Sequence, residues 1–107
     1  MLIQQVQIDV HPGSGPAFEA GLLDVRQKSF MAAGFRRFDV AQATHDPAVY
    51  QVQVRWETAD ELEAFTASGG FERAWDPVRA HLAQPLLVTV FSERTALDLQ
   101  GPGVLTP

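Results

Sequence analysis

The stretch Val49-Tyr50-Gln51-Val52-Gln53-Val54-Arg55-Trp56-Glu57 alternates apolar and polar side chains from Tyr50 onward. Successive side chains of a β-strand point to opposite faces, so Tyr50, Val52, Val54 and Trp56 share one face. Gln51, Gln53, Arg55 and Glu57 share the other. A strand of this kind needs a hydrophobic layer over one side only. The next four residues, Thr58-Ala59-Asp60-Glu61, supply the start of that layer. They fit a capping box, in which a threonine hydroxyl satisfies an amide of the first turn and a glutamate stands three residues later.

Upstream, Thr44-His45-Asp46-Pro47 reads as a turn, because the residue before proline avoids the helical region and Asp favours turns. Phe35 to Ala43 reads as the strand that pairs with Val49 to Glu57. Before it, Phe18, Leu22 and Val25 recur at helical spacing, with Leu23 and Phe30 adjoining that stripe. Ser14 or Gly15 can cap this helix and Pro16 suits its first turn. Gly34 can close it in the left-handed conformation, which predicts an end near Ala33-Gly34. The first residues, Leu2 to Val10, alternate again, with Leu2, Val6, Ile8 and Val10 on one parity.

Downstream, Leu62 and Phe65 continue the helix that Thr58 opens. Ser68-Gly69-Gly70 interrupts it. Phe71, Trp75, Val78 and Leu82 then form one apolar stripe, with Pro77 inside it as a kink or a new start. Leu86 to Phe91 is the last strand. The order β, α, β, β, broken α, β predicts an α+β, ferredoxin-like βαββαβ fold. Its four-stranded antiparallel sheet carries the helices on one face. One domain over residues 1–93 is expected, with a tail over 94–107 rich in Gly and Pro. The uncovered face should carry Gln5, Gln7, Arg37, Asp39, Gln51, Gln53 and Arg55, with apolar Ile3, Phe35, Leu87 and Phe91 among them. That mixture predicts a homodimer through the open sheet face.

Composition excludes several classes of function. The chain of 107 residues has no cysteine, so disulfides, thiolate metal sites and a cysteine nucleophile are ruled out. Its net charge is −5 and Lys28 is its single lysine, which argues against nucleic acid and against an anionic membrane surface as partners. No apolar run is long enough to span a bilayer, and the first residues lack a secretory pattern; the expected location is cytoplasmic. No phosphate loop, nucleophile elbow or metal-ligand spacing is present.

The ordered set Gly34-Phe35-Arg36-Arg37-Phe38-Asp39-Val40, His45-Asp46-Pro47, Val54-Arg55-Trp56-Glu57-Thr58, Leu62-Glu63-Ala64-Phe65 and Ser68-Gly69-Gly70-Phe71 resembles the antibiotic biosynthesis monooxygenase family. The resemblance covers roughly residues 2–92. It implies a dimeric α+β barrel, two ferredoxin-like halves with their sheets face to face, and a ligand pocket between each sheet and its helices. The family includes cofactor-free oxygenases acting on phenols and quinols, haem-degrading oxygenases, and isomerases of small metabolites.

Trp56 matches the tryptophan at the end of the family's third strand. Trp75 stands where the haem-degrading relatives carry an iron-ligating histidine. An indole nitrogen is only a donor and cannot ligate iron, which speaks against haem degradation. Gly70 stands where several enzymatic relatives carry a histidine. The expected substrate-binding walls are Trp56, Phe65, Phe71 and Trp75. Of the three histidines, His81 is the candidate base, being one position from the apolar stripe. Tyr50 is the candidate hydrogen-bond donor to a substrate oxygen. No metal and no organic cofactor is expected, since an electron-rich substrate anion can reduce oxygen itself in a dry pocket. The expected activity is that of a cofactor-independent monooxygenase on a small aromatic, phenolic or quinol-type metabolite. The alternatives are a non-catalytic small-molecule-binding dimeric module, and an isomerase or lyase on the same scaffold.

Overall fold

The computed structural model describes residues 1–94. The tail expected over 94–107 lies, apart from Arg94, outside the described residues. Four strands, β1 (Leu2–Asp9), β2 (Phe35–Gln42), β3 (Val49–Trp56) and β4 (Leu87–Ser92), form one antiparallel sheet in the order β2-β3-β1-β4. Three helices complete it: α1 (Gly15–Phe30), α2 (Ala59–Ala67) and α3 (Gly70–Trp75), followed by a 3-10 turn over Asp76–His81. This is the βαββαβ arrangement expected from the sequence.

The central strands show the alternation most clearly. Val6, Ile8, Tyr50, Val52, Val54 and Trp56 are buried on one side of β1 and β3, and Phe18, Leu22, Val25, Trp75 and Val78 come down on them from the helices. The register sets Leu2 opposite Trp56, Val6 opposite Val52 and Ile8 opposite Tyr50. The other face of β3 is only half-buried at Gln51, Gln53 and Arg55. Its edge on β4 exposes Leu87 and Phe91.

The expected alternation fails at one point in β2. The register between β2 and β3 shifts between Phe35 and Arg37, so Arg36 is an extra residue in the strand. A bulge of this kind reverses the parity of what precedes it. Phe35 therefore lies opposite Trp56 on the helix side and packs edge-on against it at 6.1 Å between ring centroids, not on the open face. Arg37 and Asp39 stay on the open face and pair with each other at 2.7 Å.

Helix α1 also ends earlier than expected. Met31 is its C-cap, and Gly34 takes φ 87° one turn later, at the entry to β2. Ser29 is buried, its hydroxyl donating to the Val25 carbonyl at 2.8 Å, whereas Leu23 and Phe30 are exposed. The apolar stripe of α1 is thus narrower than its sequence suggests. In α2 the Thr58 hydroxyl accepts from the Glu61 amide at 3.2 Å and donates to the Glu61 carboxylate at 2.9 Å. The glutamate is therefore held by the threonine side chain. The break at Ser68-Gly69-Gly70 is real, with Gly69 at φ 81°. Pro77 opens the 3-10 turn, where its missing N–H is no loss. Among the described residues no helix is long and apolar enough to cross a membrane.

Candidate functional site

β1 and β3 are antiparallel, so Tyr50 and Trp56 mark opposite ends of the sheet. They are six residues apart on β3, which is about 20 Å along a strand.

At the Tyr50 end, the phenol ring is buried and stacks obliquely on Phe18 at 4.9 Å. Its hydroxyl donates to the Glu19 carboxylate at 2.6 Å and accepts from the Gln42 amide at 3.1 Å. Gln42 also donates to the Pro47 carbonyl at 3.0 Å, so the cluster ties the β2–β3 hairpin to the start of α1. Gly15 permits the approach, since a Cβ there would sit 2.9 Å from the hydroxyl. Burial, reinforced by the facing Glu19 carboxylate, pushes the Tyr50 hydroxyl up to about 12. A smaller hollow of about 260 Å³ opens beside Tyr50 and Gln42. His81 lies at this same end. It closes the 3-10 turn next to Leu82, which bridges to Val10, and its carbonyl accepts from the His11 amide at 2.9 Å.

At the Trp56 end, the indole is fully buried. It packs against the edge-on Phe35 and the tilted Phe65, with Phe65 at 4.9 Å between centroids. Its N–H donates to the side-chain oxygen of Gln4 at 3.2 Å. Gln4 is itself only 4% exposed, a polar residue set among Leu2, Val6 and Val54. Buried amides keep such positions only when hydrogen-bonded, and this contact satisfies the indole N–H and the amide oxygen. Trp75 is buried too and pairs with half-buried Phe71 at 5.9 Å.

A large cleft lies on the helical side at the Trp56 end, with a volume of about 1020 Å³. It runs between the last turn of α1 and the α2–α3 corner. Met31, Ala32, Ala64 and Phe65 form its apolar lining. Lys28, Arg73 and the carboxylates Asp60, Glu61, Glu72 and Asp76 also line it. Glu72 pairs with Arg79 at 2.5 Å, and Arg73 donates to the Ser68 carbonyl at 2.9 Å. Glu61 is the half-buried carboxylate of the wall.

Of the residues singled out in the sequence, Phe65 lines this cleft directly and Trp56 stands behind it. Phe71 and Trp75 are a separate pair within the helical layer. Tyr50 and His81 gather at the far end of the sheet, out of reach of a ligand in the cleft. Three residues that the sequence reading did not single out take part. Gln4 is signalled by its even parity among apolar neighbours. Gln42 and Glu19 hold the tyrosine, and no local pattern links Glu19 to a residue 31 positions away. Among the described residues no group of three His, Asp or Glu is placed to hold a metal ion.

Solved structures share this architecture over nearly their whole length. A candidate antibiotic biosynthesis monooxygenase from Bordetella bronchiseptica superposes with a TM-score of 0.76 at 28% identity, covering 88% of this chain and 98% of its own. SnoaB from Streptomyces nogalater, a cofactor-independent oxygenase, gives 0.77 at 20% identity, covering 90% and 95%. A Deinococcus radiodurans protein, also a candidate antibiotic biosynthesis monooxygenase, gives 0.77 at 16% identity, covering 94% and 100%. No curated protein is similar enough in sequence to count as a relative. The family model for antibiotic biosynthesis monooxygenases matches residues 1–76, from β1 to the start of the 3-10 turn, and so takes in the Trp56 end of the sheet and every wall of the cleft. The chain belongs to the antibiotic biosynthesis monooxygenase family.

Proposed function

We propose that this protein is a cofactor-independent monooxygenase that acts on a small planar phenol or quinol in the cleft beside Phe65. The observation that carries this reading is the cleft itself. It is a mostly apolar space of about 1020 Å³ with a ring pair, Phe65 on Trp56, as its floor. Ligand pockets of small-molecule enzymes fall at about 300–1,000 Å³ and combine apolar walls with a few polar groups, and this cleft stands at the upper edge of that range. A planar aromatic of two to four rings suits both its size and its floor. The fold shared with SnoaB supports the reaction type.

The chemistry asked of the protein is modest. It binds the ring, excludes water and takes a proton, so that the substrate anion delivers an electron to oxygen. Glu61 is the group in this position, half-buried on the cleft wall and fixed by the Thr58 hydroxyl. The open sheet face, where Leu87 and Phe91 are exposed beside half-buried glutamines, supports a working dimer formed through that face.

The test is oxygen uptake during aerobic incubation with a panel of quinols and anthrone-type phenols. Uptake above the uncatalysed rate is expected for at least one of them, falling at least tenfold in Glu61→Gln. A protein that binds the panel but consumes no oxygen would overturn the catalytic reading and leave a small-molecule-binding module.

A further inference from the structure

The floor of the cleft has an unusual construction. Phe65 lines the cleft and packs on Trp56 with 39° between the ring planes, and the Trp56 N–H is held by the buried Gln4 side chain. The ring can lie there because position 70 has no side chain. A Cβ on Gly70 would stand 2.6 Å from Cδ1 and 2.7 Å from Cε1 of Phe65, and 2.8 Å from its carbonyl oxygen. These distances are far inside van der Waals contact, so any other residue at position 70 must expel the ring or shift the corner. The segment that carries Phe65 is lightly held: Leu62 is the one buried residue of α2. The helix then ends within three residues, at the left-handed Gly69. Segments with few buried contacts move at low cost.

We propose that Phe65 is a displaceable plug, seated over Trp56 because residue 70 is glycine, and that one phenolic ring of the ligand takes its place. The ligand ring would stack on the indole as Phe65 does. The cleft would then have two compartments, an open outer one and an inner one the size of one benzene ring. This inference rests on the cleft being the binding site. It goes further in naming the residue that closes the inner compartment and the absent side chain that keeps it closed.

The test uses the full chain in a Trp75→Phe background, where Trp56 is the only tryptophan. In the parent, acrylamide should quench Trp56 poorly because the indole is sealed. Gly70→Ala should raise the quenching constant severalfold and tighten binding of 2-naphthol about tenfold. Phe65→Leu, which shortens the plug without disturbing the corner, should move both quantities in the same direction, and the double variant should add little. A folded Gly70→Ala protein with parental quenching and parental 2-naphthol affinity would overturn the proposal, as would a Phe65→Leu protein that binds 2-naphthol more weakly. Neither readout depends on turnover. Plug variants that behave as expected in a protein that consumes no oxygen would refute the monooxygenase reading and leave the inner compartment standing.

Discussion

Tyr50 is the only tyrosine in the chain, which makes its ionisation directly observable by ultraviolet absorbance near 295 nm. Its hydroxyl is pushed up to about 12, first by burial of the ring and then by the hydrogen bond to the Glu19 carboxylate. An unfolded chain would ionise near the ordinary tyrosine value of about 10. A neutral acid whose folded value is raised contributes stability that is fully present below about 10 and is lost as pH climbs toward 12. Two pH units at about 1.4 kcal/mol each give an upper limit of roughly 2.7 kcal/mol, less what water at the rim of the hydroxyl screens away. Urea unfolding from pH 8 to 12 should therefore show a stability limb that falls above pH 10 in the native chain and is flat in Tyr50→Phe. Absorbance titration of the folded protein should show no phenolate until past pH 11, and Glu19→Gln should bring the midpoint down. A native-state midpoint near 10, with the protein still folded, would refute the account of the Tyr50–Glu19–Gln42 cluster.

Three further outcomes are expected. Trp56→Ala and Trp75→Ala each empty a fully buried indole site and should cost about 3–5 kcal/mol in urea unfolding; losses under 2 kcal/mol would mean that the rings are not packed as described. Light scattering at micromolar concentration should give twice the chain mass, and Phe91→Asp on the open face should shift it toward the monomer, whereas a native monomer would remove the case for assembly through that face. Haem titration should give no sharp Soret band of one-to-one stoichiometry, because Trp75 is buried and its ring nitrogen can only donate; a band lost on His81→Ala would identify a ligand at the other end of the sheet.

The elements were legible because each carries its own local signal. The alternation of β3 and the helical spacing of Phe18, Leu22 and Val25 both follow from backbone geometry alone. The bulge at Arg36 was harder, although a signal exists. Phe35 and Phe38 are three apart, and two aromatics at that spacing can face the same side of a strand only if an extra residue intervenes. Gln4 was equally visible in principle, since a polar side chain on an apolar parity demands a partner. That the partner is Trp56, 52 residues away, depends on strand pairing and not on spacing. The same limit explains the candidate site. Tyr50 and Trp56 share a face, and the pattern says nothing of their 20 Å separation until the strand is set down in full.

The cleft has a different origin from the residues around it. A single straight helix from Ala59 to His81 would run about 35 Å, longer than the eight-residue strand beneath it at roughly 26 Å. The chain instead divides into helical pieces of nine, six and six residues, with left-handed Gly69 between the first two and Pro77 in the first turn of the third. Each break re-aims the layer, and small residues (Ala32, Ala64, Gly70) leave the space at the corner unfilled. The void is thus a consequence of the backbone. Phe65 and Glu61 are among the side chains that line it. A backbone that makes the space and a handful of positions that furnish it can host different reactions without refolding. On the proposal that Phe65 plugs an inner compartment, positions 65 and 70 set what the cleft accepts, whereas truncating either buried tryptophan to alanine acts first on the core.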